Sequence, residues 1–225
     1  TAVVRRLHAE PSLRGTKIYL LGHSEGAYVA AQVARRESLV SGVISLAGPT
    51  FALDRVLLDQ MDALLELSGA SEDQRRKLGR VNAQVYALMK DKHLTLDEVK
   101  AKARKVLESH QEYLGNGQSI EAILGQLTPY LRELLSQDVS AVWRDLRVPV
   151  IGIYADLDKQ VLPINARELQ RLLPRARVQV FPGYNHLFLQ TQSGSPLEYA
   201  RLPQGFSPEA LSYLRQELDR LRVVQ

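Results

Sequence analysis

Ile18-Tyr19-Leu20-Leu21-Gly22-His23-Ser24-Glu25-Gly26-Ala27 is the stretch of this 225-residue chain that decides its fold. The apolar residues over 17–21 predict a short strand. The small residues Ala27, Val29, Ala30, Ala31, Val33 and Ala34 predict a helix over 26–37 that packs closely on a sheet. Between them Gly22-His23-Ser24-Glu25-Gly26 places a serine at the apex of a strand, sharp turn, helix unit. A serine there takes a strained backbone conformation that flanking glycines make sterically possible, and its hydroxyl stands at the helix N-terminus. At ordinary glycine and serine usage a bare Gly-x-Ser-x-Gly arises about 0.1 times in a chain this long, so the motif in this context is informative.

Working outward, residues 42–47 form a second strand, and the two strands with the helix between them make a βαβ unit with a parallel sheet. The pattern then changes. From about 51 to 147 the reading is helical only, with amphipathic segments over 53–67, 71–90, 96–114 and 120–135. Ser71-Glu72-Asp73-Gln74 and Thr95-Leu96-Asp97-Glu98 both fit the capping box, and Gly115-Asn116-Gly117 reads as a loop between helices. After Pro149 the α/β rhythm resumes with a strand over 150–154, a helix over 164–173, a strand over 178–181 and a last helix over 208–221. Residues 2–9 form a first helix. The expected architecture is an α/β core with a parallel sheet, residues 1–50 and 148–225, interrupted by an inserted all-helical cap, residues 51–147.

Composition narrows the function classes. A hydrophobic content of 45% supports one sizeable core with a helical insertion. The net charge of +4 comes from Lys and Arg alternating with Asp and Glu along helices, without an aromatic-interleaved basic stripe, so no nucleic-acid partner is expected. With no cysteine there is no disulfide, thiolate metal site or cysteine catalysis, and cytoplasmic and secreted locations both stay open. No apolar run reaches 18 residues, so no membrane span is expected. Metal clusters, phosphate loops and dinucleotide fingerprints are also missing, and no cofactor is implied.

A serine hydroxyl is a poor nucleophile unless a base lies within hydrogen-bond reach and a third group fixes the base's tautomer. The strand over 150–154 runs into Ala155-Asp156-Leu157-Asp158-Lys159-Gln160-Val161, and the strand over 178–181 runs into Pro182-Gly183-Tyr184-Asn185-His186. Both segments sit at carboxyl ends of predicted parallel strands, where open α/β sheets place their sites. Asp156 and Asp158 are both available as the acid. The backbone N–H of Glu25, the residue after the serine, is the expected oxyanion donor. His23 reads as a packing residue behind the turn, and His8, His93 and His110 receive no role.

These residues carry a resemblance to the α/β-hydrolase superfamily, in particular to the bacterial esterase and prolyl-oligopeptidase-like group with a helical cap. It rests on residues 22–26, on 149–163 with the turn Asp158-Lys159-Gln160-Val161, and on Phe181-Pro182-Gly183-Tyr184-Asn185-His186-Leu187-Phe188. The tail Thr191-Gln192-Ser193-Gly194-Ser195-Pro196-Leu197-Glu198-Tyr199 is similar to the one that follows the catalytic histidine in that group. The resemblance implies Ser24 as nucleophile, Asp158 as acid and His186 as base. Asp158 is preferred to Asp156 because the family pattern sets the acid two residues before a small apolar residue and a proline-containing helix start, which residues 161–163 approximate. The implied activity is that of a serine hydrolase cleaving carboxylic esters through an acyl-enzyme, with an apolar cap containing Met61, Tyr86 and Met89 as a wall for the acyl group. Acyl transfer, thioester cleavage and short-peptide hydrolysis use the same three residues. A different class, a catalytically weak subunit or interaction module, also fits. The family has several strands before the serine turn, whereas about sixteen residues precede the first strand here. The family's N-terminal strands and the second oxyanion donor are therefore not accounted for within this chain, and another chain supplying them stays open. The strand over 17–21 is expected to pair with a second chain, an N-terminal fragment or a homo-oligomer mate.

Overall fold

The computed structural model describes residues 1–113 and 119–223. Two compact units divide them: Thr1–Phe51 with Asp138–Gln225, and Ala52–Gln137.

The first unit is built on a four-stranded sheet, β1 (Ile18–His23), β2 (Val40–Leu46), β3 (Val150–Ala155) and β4 (Arg177–Phe181), in that spatial order. All neighbours are parallel, in registers that include Leu20 beside Val43, Ile44 beside Ile151 and Tyr154 beside Val180. Parallel sheets are covered on both faces, so their strands read as nearly continuous apolar runs. β2 and β3 fit that rule, with β3 buried along its whole length. Side chains of successive strand residues alternate between faces. Ile151, Ile153 and Ala155 join Ile44, Leu46 and Phe181 in a core covered by Tyr213, Leu214 and Leu218 of α10 (Pro208–Val223). Gly152 belongs to the other face, where a Cβ would sit 2.7 Å from Leu169 of α9 (Ile164–Leu172). On this unit α2 (Glu25–Arg36) lies against β1 and β2, while α1 (Ala2–Ala9) buries Val4 and ties to the end of α2 through an Arg5–Glu37 ion pair.

The second unit is all helical: α3 (Leu53–Leu67), α4 (Glu72–Lys90), α5 (Leu96–Glu108), α6 (Ile120–Gln126) and α7 (Pro129–Leu135). Both expected capping boxes are present, Ser71 with Gln74 and Thr95 with Glu98. The helix expected over 120–135 is two helices. Pro129 lacks the N–H a continuing helix needs, and Thr128 caps the new start by accepting from the Leu131 N–H. The helix expected over 96–114 stops at Glu108, and the loop expected at Gly115-Asn116-Gly117 lies outside the described residues. Met89 is fully buried with its carbonyl accepting from Arg132, and the Met61 sulfur accepts from Asn82.

The units divide between residues 137 and 138, ten residues before the boundary expected at 147/148. The difference is α8 (Val139–Arg144), which packs on α2 and α9 and has Trp143 completely buried. The Trp143 indole donates to the Pro49 carbonyl and the Ser140 hydroxyl to the Thr50 carbonyl, so the chain leaving β2 is fastened to the chain returning toward β3. Thr50 in turn donates from its N–H to the Asn165 side chain. Among the described residues no helix is long and apolar enough to cross a membrane.

Candidate active site

Three strand ends position the expected side chains. Because β1, β3 and β4 run parallel, the residues that follow them, Ser24, Asp158 and His186, all lie off the same edge of the sheet. Ser24 has φ 55° and ψ −127° at the N-cap of α2, and its hydroxyl makes no capping bond to the helix. Its N–H donates to the Leu46 carbonyl at 2.8 Å, extending the β1–β2 ladder into the turn. The two flanking glycines contribute unequally. A Cβ on Gly22 would stand 2.1 Å from the Gly26 carbonyl oxygen, whereas one on Gly26 would meet nothing within 4 Å. Gly22 is thus the residue that lets the turn close. Glu25 opens α2, so its N–H stands in the first turn at the positive end of the helix dipole.

The expected acid and base meet directly. His186 Nδ1 lies 2.7 Å from Asp158 Oδ2, with the His186 residue 4% and the Asp158 residue 1% exposed. A carboxylate only accepts, so Nδ1 carries the proton and Nε2 is left as the basic nitrogen. The second Asp158 oxygen accepts from the N–H groups of Gln160 (2.7 Å) and Val161 (2.9 Å), which fixes the carboxylate plane. Asp156 does different work. Its carboxylate accepts from the Gly183 N–H on the exposed side and so joins the turn after β3 to the turn after β4.

His186 rides on a turn that is tied at several points. The Asn185 side chain accepts from the N–H groups of Leu187 and Leu189, Phe188 holds φ 58°, and the Thr191 N–H donates to the Gly183 carbonyl. The segment beyond it, 191–199, braces the acid turn. Gly194 lies so close that a Cβ would fall 1.8 Å from the Leu157 carbonyl oxygen, and the Gln160 amide donates to the Tyr199 hydroxyl. Burial raises the Tyr199 phenol's pKa, and the Asp158 charge adds to that rise. Glu198 accepts from Thr191 and Ser193, which folds this segment on itself.

His23, read from sequence as a packing residue behind the turn, packs on the His186 turn. Its Nε2 lies 2.8 Å from the His186 carbonyl oxygen, and the two imidazole rings are 4.6 Å apart at 48°. Burial lowers its pKa, which favours the neutral ring. The signal available in sequence was only its place beside the serine. His110 bonds within its own turn to the Val106 carbonyl, and among the described residues no group of three or more His, Cys, Asp or Glu could hold a metal ion.

A doubly covered parallel sheet, a strained serine between strand and helix, and an Asp–His pair on later strand ends define an α/β-hydrolase architecture. The alpha/beta hydrolase family model matches residues 1–202, and the chain belongs to that family. It is 26% identical over 190 residues to Esterase EstD of Thermotoga maritima, an alignment covering 83% of this chain and 39% of that protein. The chain thus spans well under half the length of this curated relative. Among solved structures it is similar to proline iminopeptidase from Mycobacterium smegmatis, with a TM-score of 0.50, 20% identity and coverage of 98% of this chain and 71% of that one.

Proposed function

We propose that the chain is a serine hydrolase of carboxylic esters acting through an acyl-enzyme on Ser24. The observation that carries this reading is the buried His186–Asp158 pair off the sheet edge at which Ser24 sits with φ 55°. In the proposed cycle His186 Nε2 takes the proton as Ser24 Oγ bonds to the acyl carbon. The resulting oxyanion is held by the Glu25 N–H, and Asp158 stabilises the imidazolium. Collapse of the tetrahedral intermediate breaks the bond to the alcohol oxygen, which receives the proton from His186. Water then gives a proton to the same nitrogen as its oxygen bonds to the acyl carbon, and collapse breaks the bond to Ser24 Oγ, which takes the proton back from His186 as the carboxylic acid leaves. The esterase name of the Thermotoga maritima relative supports ester substrates. Transfer to another acceptor and cleavage of a short peptide share the first half-reaction, and thioester and aminoacyl-anilide substrates separate them from ester hydrolysis.

The test is hydrolysis of p-nitrophenyl butyrate. We expect Ser24→Ala to lower kcat by about 10³-fold or more. Equal rates for the two proteins would refute the reading.

A further inference from the structure

We infer that His23 is a positioning residue for the base: its Nε2–H holds the backbone of His186 against the serine turn, so that the residue beside the nucleophile sets where the general base stands. The inference rests on the serine-hydrolase reading of Ser24 and His186, and it goes beyond the packing role that sequence gives His23. A backbone carbonyl only accepts, so the 2.8 Å contact to the His186 oxygen requires the proton on His23 Nε2. The remaining Nδ1 is then unprotonated in the neutral ring, the form that burial favours.

Three observations make this more than packing. First, the link joins positions 163 residues apart, between the last residue of β1, which leads into the serine turn, and the turn after β4. These turns carry the two partners of the proposed proton transfer. Second, the other bonds of the His186 turn hold it to itself, through Asn185, to the acid turn, through Leu157, Asp156 and Asp158, or to the start of α10, where the Ser207 N–H donates to the Phe188 carbonyl and the Tyr184 hydroxyl to Glu209. The His23 bond ties it instead to the nucleophile's turn. Third, the His23 ring lies 4.6 Å from the His186 ring and 6.5 Å from that of Phe188, the residue with φ 58°. His23 thus supports both the base and the strained residue that shapes its turn. Misplacing a reacting group by about 1 Å can cost 10²-fold in rate, so one such bond can matter kinetically without touching substrate.

Two substitutions separate donor from bulk. His23→Phe keeps an aromatic ring and removes the donor, whereas His23→Gln puts an amide N–H near the place of Nε2. We expect His23→Phe to lower kcat for p-nitrophenyl butyrate, and the rate of phosphonylation of Ser24 by a fluorophosphonate, by about 10- to 100-fold with KM changed less than about 3-fold. His23→Gln should recover most of that loss. Wild-type rates in His23→Phe, or equal losses in both variants at similar melting temperatures, would overturn the inference. A measurement on the wild-type protein keeps it testable if the variants fail to fold. Long-range ¹H–¹⁵N NMR should find the His23 proton on Nε2, and a proton found on Nδ1 alone would overturn it. Should the wild-type chain neither hydrolyse esters nor react with the fluorophosphonate, the hydrolase reading fails, while the NMR result still decides whether His23 holds the His186 carbonyl.

Discussion

Ser24, Ala47 and Phe188 are the non-glycine residues with positive φ among those described, and they follow β1, β2 and β4 at the carboxyl edge of the sheet. Such torsions cost about 1–3 kcal/mol each and persist where the surroundings over-determine them. At Ser24 the constraint comes from Gly22, whose missing Cβ admits the Gly26 carbonyl, and at Phe188 from the Asn185 cap. The two carboxylates of the acid turn differ in the same local way. Asp158→Asn should lower kcat by about 10⁴-fold, since an amide facing Nδ1 favours the wrong tautomer. Asp156→Asn should leave kcat within about 10-fold and act on stability through the Gly183 contact. Steady-state kinetics and thermal melts on both variants check this pair. The pH dependence of His23 has a definite sign. Its pKa is lowered on folding from 6.5 by burial, which outweighs the opposing bond to the His186 carbonyl; the His186 ring adds to the lowering and the Asp158 charge opposes it. Its contribution to stability is therefore complete above pH 6.5 and is lost as pH falls toward the folded pKa. Urea denaturation from pH 7.5 to 5 should show a steeper acid-side decline for wild type than for His23→Phe. The candidates Ser24, His186 and the pair Asp156 and Asp158 were legible in sequence because each follows a strand in chain order, and the choice of Asp158 came from the family resemblance. The His23 bond was not, because its acceptor is a backbone atom on a distant turn.

At the scale of elements, every strand was readable from short β-branched runs, and the boundaries moved by only a few residues. The helices depended more on local chemistry. Ser71 and Thr95 announced the starts of α4 and α5, and Pro129 marked a start inside what periodicity alone joined into one segment. α8 escaped notice because it is short, and its allegiance is set by tertiary contacts of Trp143 that no periodicity encodes. That contact has a measurable consequence. Trp143→Phe keeps an aromatic ring but leaves the Pro49 carbonyl without its indole donor in a buried place, so stability should fall by about 1–3 kcal/mol. Chemical denaturation checks the size. A loss below about 0.5 kcal/mol would mean that water replaces the indole there.

For the whole molecule, the decisive geometry is the sheet. Its parallel order gathers three separated sequence segments at one edge, and this order was deducible from the βαβ pattern and the spacing of the strands. The other edge question concerns β1, whose ladder partner among the described residues is β2. Leu21 on that strand is 53% exposed, and Val3, Leu7 and Leu13 before it are also exposed. Unpaired parallel edges with apolar neighbours recruit further strands. We propose that β1 is paired in solution, by a second copy of the chain when no other polypeptide is supplied. Light scattering should then give a mass of at least twice 25.2 kDa, and a monodisperse monomer would contradict the proposal.

The central claim is that Ser24 is an activated nucleophile served by His186 and Asp158. Its most direct test is the intact mass of the protein after brief exposure to a fluorophosphonate, followed by peptide mapping. The account predicts a single adduct on Ser24, absent in Ser24→Ala and formed at least about 10²-fold more slowly in His186→Ala. Labelling that falls elsewhere, or that proceeds equally in all three proteins, would contradict it.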